Sequence, residues 1–284
     1  MFGKQRIRFI MLSVLVALLL PLTSIGVFNA VATPFCDPAV NFNSSNFPKS
    51  PKIDNRWLPL IPGTQLTLEG STSQGVHRVV FTVTDLTKVI DGVRTVVVWD
   101  RDFNDSQLAE AELSLFAQDN AGNVWNLGEY PEEYEGGKFV GAPSTWIAGV
   151  DGAEGGIHML AKPKTGTGEY LQGWSPTIGF LDCAKVFKLG QTACVPVNCY
   201  KDVLVTSETS PLDQGGGHQF KYHAPGVGIV QVGAVGDPQA ETLVLTKLEH
   251  LGPSALAQAR EEALKLDRHG YQGSDVYRQT PPAE

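Results

Sequence analysis

Short runs in which apolar and polar residues alternate recur along the chain, a pattern typical of half-buried β-strands. In one of them, Val79, Phe81 and Val83 occupy every second position. Asp91-Gly92 then separates this run from the β-rich stretch 94–99. Because Asp-Gly suits the left-handed conformation of a two-residue hairpin turn, we predict a β-hairpin centred on it.

A second hairpin is predicted around the turn residues 119–123. A two-residue loop would place Trp125 opposite Phe116, whereas a three-residue loop with a left-handed Gly122 places Trp125 opposite Ala117. The second, bulged turn is favoured because it alone puts the regularly spaced apolar side chains on one face: Leu113, Leu115, Ala117, Trp125 and Leu127.

The remaining patterns predict a mainly β fold. Further strand-like runs lie at 201–207, 219–223, 229–232 and 241–248. One run with helical spacing begins after Gly252-Pro253-Ser254 and ends at Gly270. We expect an antiparallel meander that forms a bent sheet or open barrel over residues 63–250, one C-terminal α-helix over 251–270, and a disordered tail over 271–284.

The first 32 residues carry the pattern of a secretory signal peptide. Lys4, Arg6 and Arg8 precede the apolar stretch 9–20, and Ala30-Val31-Ala32 supplies a cleavage site. The alternative is an uncleaved anchor, because residues 9–31 almost suffice to span a bilayer. We expect cleavage, a periplasmic or secreted protein, and no membrane span after signal removal. Residues 33–62, rich in Asn, Ser and Pro, then form an extended arm over the domain.

Export changes the meaning of the four cysteines, which are Cys36, Cys183, Cys194 and Cys199. In an oxidising compartment an even number of cysteines favours disulfides. Zinc is the alternative, but no C-x-x-C pair exists and no histidine lies near the cysteines in sequence. Three pairings are open. A hairpin turning near 188–190 would pair Cys183 with Cys194 and leave Cys36 to pair with Cys199.

Composition narrows the class of protein further. The 284 residues are 42% hydrophobic and 18% charged, which is too apolar for a disordered chain. The formal charge is −8, and no run of Lys and Arg follows the first ten residues. Nucleic-acid binding is therefore not expected.

Most signatures of catalysis are missing. The sequence contains no H-E-x-x-H, P-loop, dinucleotide or G-x-S-x-G motif. His218 and His223 are the closest pair of histidines, but strand alternation sends them to opposite faces. We expect neither a metal site nor a cofactor.

Carboxylates are the remaining candidates for chemistry. Glu110, Glu112 and Glu129 belong to the second hairpin, and Asp151 follows in a loop. Two of these groups could serve as acid and base in glycoside cleavage. The simpler interpretation is a solvated acidic rim that keeps an exported protein soluble.

Four motifs together resemble a family of exported bacterial proteins of unknown function. They are N-x-W-L-P-L-x-P-G-T from Asn55, A-Q-D-x-x-G-N-V-W from Ala117, A-G-x-D-G-A from Ala148 and Y-x-A-P-G-V-G from Tyr222. The resemblance covers roughly residues 36–250. Arg56 stands where it leads us to expect Pro, and Leu127 where it leads us to expect an aromatic residue. The family supplies no established activity, so no catalytic residue can be transferred.

The strand that ends in Ala-Pro-Gly-Val-Gly is also similar in architecture to periplasmic half-barrels of the LolA-like type. Those proteins bend an antiparallel sheet around an acyl chain, which implies a hydrophobic ligand by analogy of fold. We therefore expect a non-enzymatic protein that binds a lipid, another apolar small molecule or an envelope component. Trp57, Trp99 and Trp125 are the expected lining of its binding site.

Two alternatives remain at this point. One is a secreted polysaccharide hydrolase that uses a carboxylate pair in an aromatic-lined cleft, and the other is a purely structural envelope protein. Facing carboxylates in an aromatic-lined cleft would favour the hydrolase, and an apolar cavity without buried acids would favour binding. A solid core would favour the structural protein.

Overall fold

Antiparallel strands make up most of the protein. The computed structural model describes residues 36–213 and 215–284, so the predicted signal peptide lies outside the described residues. The strands are β1 (Thr64–Thr72), β2 (Gly75–Ile90), β3 (Val93–Asn104), β4 (Gln107–Gln118), β5 (Val124–Glu135), β6 (Lys138–Gly141), β7 (Trp146–Ile147), β8 (Glu154–Met159), β9 (Tyr170–Ser175), β10 (Phe180–Val195), β11 (Asn198–Thr209), β12 (His218–Ala224), β13 (Gly228–Val235) and β14 (Thr242–His250). An α-helix, α1 (Pro253–Gly273), follows them, and short 3-10 turns lie at Ser44–Asn46 and Tyr277–Gln279.

All strands except β6 and β7 close into a twelve-stranded barrel. Their order is β4, β3, β2, β1, β14, β13, β12, β11, β10, β9, β8 and β5, and β5 pairs in turn with β4. The predicted mainly β, antiparallel fold with a C-terminal helix is confirmed. The sheet is closed rather than open, because β5 pairs with β4 on one side and with β6, β7 and β8 on the other. Closure removes the unpaired edges that an open sheet would expose.

The hairpin predicted at Asp91-Gly92 is confirmed. Ile90 pairs with Val93, and φ is 45° at Asp91 and 77° at Gly92. Both central residues are therefore left-handed, as a type I′ turn requires, and that turn matches the twist of the strands it joins.

The second hairpin has the predicted bulged geometry. Trp125 lies opposite Ala117, and φ is 92° at Gly122. The five apolar side chains expected on one face all belong to one hydrophobic core, and each is at most 2% exposed.

That core lies on the outer side of the barrel wall. Strands β2 to β5 all contribute to this core, β4 through Leu113 and Leu115, and α1 covers it with Ala263 and Leu266. Phe42, from the N-terminal arm, stacks edge-on against Trp125 with their ring centroids 5.7 Å apart. The arm and the helix thus bury the outer face of the same hairpin.

A second core lies where residues 53–60, here called the plug, pack against the strands. Ile53, Trp57 and Leu60 meet Val98 and Phe116 there. The side chain of Asn55 fixes the plug, because its Oδ1 accepts a hydrogen bond from the Trp57 amide at 2.8 Å and its Nδ2 donates to the Gly122 carbonyl at 2.9 Å. The buried asparagine explains why the N-x-W spacing occurs at this point.

The C-terminal helix runs three residues beyond Gly270, where the sequence predicted its end. Gly270 instead permits a close approach, since a Cβ there would lie 2.4 Å from Cδ1 of Tyr277. The missing side chain lets the chain fold back over the helix.

Residues 274–284 differ from the predicted disordered tail. Tyr277 is completely buried, and the main chain of Glu284 exchanges hydrogen bonds of 2.8 and 2.9 Å with Thr87 in β2. The composition gave no periodic signal here because isolated anchors, rather than a repeating face, attach this segment.

A buried ion pair connects the helix, the C-terminal segment and β2. The Lys88 ammonium donates to Asp267 Oδ1 and the Tyr271 hydroxyl at 2.8 Å each, and to the Pro281 carbonyl at 2.7 Å. Tyr277 also donates to Asp267 Oδ1, at 2.7 Å. Both charged side chains are at most 2% exposed, so each depends on the other.

All four cysteines form disulfides, but the suggested pairing was wrong. Cys36 is bonded to Cys183, and Cys194 to Cys199. β10 runs without a turn through residues 188–190, so Cys183 and Cys194 belong to one strand rather than facing across a hairpin. The turn lies between β10 and β11 instead, and it places Cys194 directly opposite Cys199.

Within the described residues, no helix is both long enough and apolar enough to span a membrane.

Candidate ligand-binding cavity

The barrel encloses a cavity of about 260 Å³, here called the lumen cavity. Its apolar wall comes from β1, β2, β13 and β14, and the plug adds Leu58 and Leu60. The side chains of this wall alternate with outward-facing residues along each strand. They are Leu66, Leu68, Val79, Phe81, Val232 and Leu243.

The facing wall, formed by β3, β4 and β5, is acidic. Asp100 and Asp102 continue the inward-facing positions that Val98 occupies earlier in β3. Asp100 lies directly opposite Glu112 on β4, and Asp102 directly opposite Glu110. Like charges at such positions repel one another across a sheet, so this wall costs stability when its carboxylates are ionised.

Burial and mutual repulsion raise the pKa values of these carboxyl groups. Burial raises the pKa of Asp100 to about 6, although the hydrogen bond and the charge of Arg101 oppose that shift. Burial and then the neighbouring Asp100 and Glu129 raise the pKa of Glu110 to about 7. The pKa values of Asp102 and Glu112 are raised for the same reasons. The wall therefore holds protons near neutral pH.

Glu129 on β5 completes the acidic wall. Its two carboxylate oxygens accept hydrogen bonds from Asn126 Nδ2 at 2.5 Å and from the indole of Trp146 at 2.9 Å. Burial raises its pKa, although these two hydrogen bonds oppose that shift. Both donors hold the carboxylate in a fixed position.

A lysine lies among the acids. Lys221 on β12 binds Glu208 on β11 at 2.6 Å, and it lines the lumen cavity. Burial alone would raise the pKa of Glu208, but Lys221 and His158 hold it at about 2. One ammonium thus faces several carboxyl groups, and its charge is already matched by Glu208.

The buried histidines near this lysine are held neutral. Burial, reinforced by the Lys221 charge, lowers the pKa of His158 to about 4 and that of His223 to about 3. His77 behaves differently, because its Nε2 lies 3.1 Å from Glu241 and that hydrogen bond raises its pKa to about 9.

The structure brings together three of the four carboxylates that the sequence selected. Glu112 and Glu129 line the lumen cavity, and Glu110 lies beside it, opposite Asp102, whereas Asp151 lies in an exposed turn with a φ of 51°. All three are half-buried, so a solvated rim does not describe them.

None of the three tryptophans expected to line a site borders the lumen cavity. Trp57 belongs to the plug, and Trp99 and Trp125 point to the outer side of the wall. Strand alternation explains the difference, because Trp99 has the opposite parity to Asp100 and Asp102.

Sequence reasoning missed the lysine and the two aspartates of the site. Asp100 and Asp102 had a usable signal, since they interrupt the apolar face that Val96 and Val98 begin. Lys221 had none, because only the barrel's closure brings β12 across from β3. Within residues 36–213 and 215–284, no group of three or more histidine, cysteine or acidic residues is arranged to hold a metal ion.

Replacing Glu110 with Gln is expected to flatten the pH dependence of stability. Protonation of Glu110 stabilises the folded state, because its folded-state pKa, about 7, exceeds its ordinary value of 4.5. This stabilisation is fully present below pH 4.5. It is lost as the pH rises through about 7. Over this range the free energy of unfolding of the unchanged protein should fall by roughly 2 to 3 kcal/mol more than that of Glu110→Gln. Urea unfolding at about pH 5 and about pH 8 measures the difference.

The matched control is Glu135→Gln, which removes an exposed glutamate at the end of β5. It should leave the slope unchanged. Parallel stability profiles for Glu110→Gln and the unchanged protein would contradict the expectation.

These features define a class of protein, namely a disulfide-bonded antiparallel barrel with a cavity that is apolar on one side and acidic on the other. Two disulfides of this kind fit an oxidising compartment, and the protein is periplasmic or secreted.

Comparisons with protein families, curated proteins and solved structures do not identify a function for this chain. No family model matches the sequence, and no curated protein matches it. A structure from Parabacteroides distasonis, described as a candidate lipoprotein, is 13% identical, covers 69% of this chain and 99% of its own, and superposes with a TM-score of 0.40. A candidate exported protein with YmcC-like fold from Bacteroides fragilis has the same identity and coverage and a TM-score of 0.39. Neither similarity tells us what this chain binds.

Proposed function

We propose that this exported protein binds a small amphipathic molecule in the lumen cavity and acts without catalysis. The observation that carries the proposal is one continuous cavity in which an apolar wall faces an acidic wall. Ligand sites are typically apolar concavities with a few convergent polar groups, and drug-sized ligands occupy about 300–1,000 Å³. At about 260 Å³, the lumen cavity suits a ligand below that range.

The two walls suggest how such a ligand would lie. An apolar portion would contact Leu68, Phe81 and Leu243, where removal of apolar surface from water favours binding. A polar end would face Asp100 and Glu112, since an ionised carboxylate accepts hydrogen bonds and a protonated carboxyl group donates one as well. A ligand with an amine or several hydroxyl groups meets both conditions.

The polysaccharide hydrolase remains the second candidate. Carboxyl groups with raised pKa values beside a cavity are typical of acid–base sites, which favours it. The aromatic-lined cleft expected for it is poorly matched, because the cavity lining includes Phe81 and Phe116 but no tryptophan of the described residues. A purely structural role is less well supported, because the core is not solid.

Native mass spectrometry of protein purified from its own exported fraction, followed by solvent extraction, tests the proposal. We expect a stoichiometric small molecule that is apolar over part of its structure. An empty protein that shows activity in a polysaccharide screen would instead favour the hydrolase.

A pair of variants on β13 sharpens the test. Val232→Trp places an indole in the lumen cavity, whereas Gln231→Trp adds the same group one residue earlier, on the other side of the strand. We expect Val232→Trp to lose the bound molecule and Gln231→Trp to keep it. Equal occupancy in the two variants would place the ligand somewhere else.

A further inference from the structure

A second concave surface lies on the outer side of the barrel, away from the lumen cavity. It is a groove of about 710 Å³ across β1, β2, β3 and β14, here called the outer groove. Its lining includes Arg78 on β2 and Arg101 on β3. Both face outward, because their neighbours along each strand, Val79 on β2 and Asp100 and Asp102 on β3, face the lumen cavity.

Each of these arginines lies on an aromatic ring. The guanidinium carbon of Arg78 is 4.2 Å from the ring centroid of Phe103, and that of Arg101 is 3.8 Å from the ring centroid of Trp99. Such stacking fixes the plane of a guanidinium while its N–H groups remain available at the edge.

The two arginines are close together. Arg78 lies opposite Phe103 in the β2–β3 register, and Phe103 is two residues beyond Arg101. Diagonal neighbours of this kind are roughly 7–8 Å apart, and long side chains can meet across that distance. Burial lowers the pKa of Arg101, and the like charge of Arg78 lowers it further, whereas Asp100 raises it. One anion could therefore contact both groups.

Neither guanidinium has a charged partner in the part of the chain that the structure describes. Among the residues that the structure describes, no carboxylate forms an ion pair with either arginine, and the Nε atom of each is buried without a hydrogen-bond partner. Burying an N–H group in this way costs free energy unless an acceptor forms a hydrogen bond with it.

None of the acids near the outer groove pairs with either arginine in the described part of the chain. In the groove, Glu249 binds Lys247 at 2.9 Å, and on α1, Glu262 binds Lys265 at 2.6 Å. Glu69 faces Arg78 in the β1–β2 register but is exposed and makes no ion pair with it in the described part of the chain. The Arg101 guanidinium donates only two long contacts, 3.4 Å to Gln65 Oε1 and 3.5 Å to Thr82 Oγ1.

We propose that the outer groove is an oxyanion-binding site in which Arg78 and Arg101 together hold a carboxylate or phosphate group. Guanidinium groups bind both kinds of oxyanion through charge-assisted hydrogen bonds, which are the stronger class. Thr67 borders the site and can donate a further hydrogen bond, whereas the Thr246 hydroxyl already donates to the Thr67 carbonyl. This site does not depend on the ligand proposed for the lumen cavity.

The arginine Nε–H signals in a ¹H–¹⁵N NMR spectrum test the site directly. Inorganic phosphate and, separately, succinate are titrated into the unchanged protein at constant ionic strength. We expect two Nε–H signals to shift downfield and to saturate, one absent from Arg78→Gln and the other from Arg101→Gln. Either single substitution should weaken binding by about tenfold, the loss of one charge-assisted hydrogen bond. Tighter binding of phosphate or of succinate identifies which oxyanion the groove prefers.

Arg56→Gln is the matched control. Arg56 also lies over an aromatic ring, 4.8 Å from the Trp57 centroid, but its guanidinium is paired with Asp202. This variant should bind the anion as the unchanged protein does. The proposal is overturned if neither anion gives a saturable shift, or if Arg56→Gln weakens binding as much as the groove variants do.

Discussion

Replacing Lys88 with Met is expected to destabilise the protein by about 3–5 kcal/mol, the usual cost of breaking a buried ion pair from one side. The substitution leaves the Asp267 carboxylate without its ammonium partner, although Tyr277 still donates to it. It also removes the hydrogen bonds that Lys88 donates to Tyr271 and to the Pro281 carbonyl. Denaturation in guanidinium chloride, followed by far-UV circular dichroism, measures the change in the free energy of unfolding.

Two further variants separate the buried pair from a general loss of charge. Lys265→Met removes an exposed lysine of α1 that is paired with Glu262, and it should cost no more than about 0.5 kcal/mol. Lys88→Met combined with Asp267→Leu removes both charges and should recover part of the loss, because no unpaired carboxylate remains. A cost below about 1 kcal/mol for Lys88→Met alone would show that the pair contributes little.

Removing the Cys36–Cys183 disulfide by two alanine substitutions is expected to cost about 4 to 5 kcal/mol. The bond joins residues 147 positions apart and ties the N-terminal arm to β10. Cross-linking distant residues restricts the unfolded chain strongly, so breaking the bond frees many unfolded conformations. Thermal and urea unfolding of the oxidised proteins measure the difference.

The second disulfide provides the comparison. Cys194 and Cys199 are only five positions apart, so the same reasoning gives about 2 kcal/mol for their double alanine variant. We expect the long-range bond to contribute clearly more than the short-range one. Equal losses would indicate that restriction of the unfolded chain does not explain the stability of this fold.

Local sequence patterns predicted the local parts of this fold well. The Asp91-Gly92 turn and the bulge at Gly122 both follow from backbone conformations that few residues tolerate. The disulfide pairing did not follow in the same way, because it depends on where the arm crosses β10. The ordered C-terminal segment was missed because isolated anchors, such as Tyr277 and the main chain of Glu284, attach it without a periodic apolar pattern.

The candidate site was predictable only in part. Glu110, Glu112 and Glu129 were selected because one hairpin holds them close in sequence. Their burial was not foreseen, since a carboxylate on a strand is more often solvated, and only barrel closure withdraws these from water. Asp100 and Lys221 lie 121 positions apart in the chain, and no local pattern relates them.

The seam between β1 and β14 has a consequence for how an exported chain reaches this structure. Leu66 pairs with Leu248, so the first and last barrel strands must meet across most of the sequence. Pairings of such long range form slowly, because the intervening chain must be ordered first. A protein delivered from its N-terminus therefore presents β1 as an unpaired edge until β14 arrives. During that interval the chain is most exposed to aggregation and proteolysis, and a helper that covers the β1 edge would have its largest effect there.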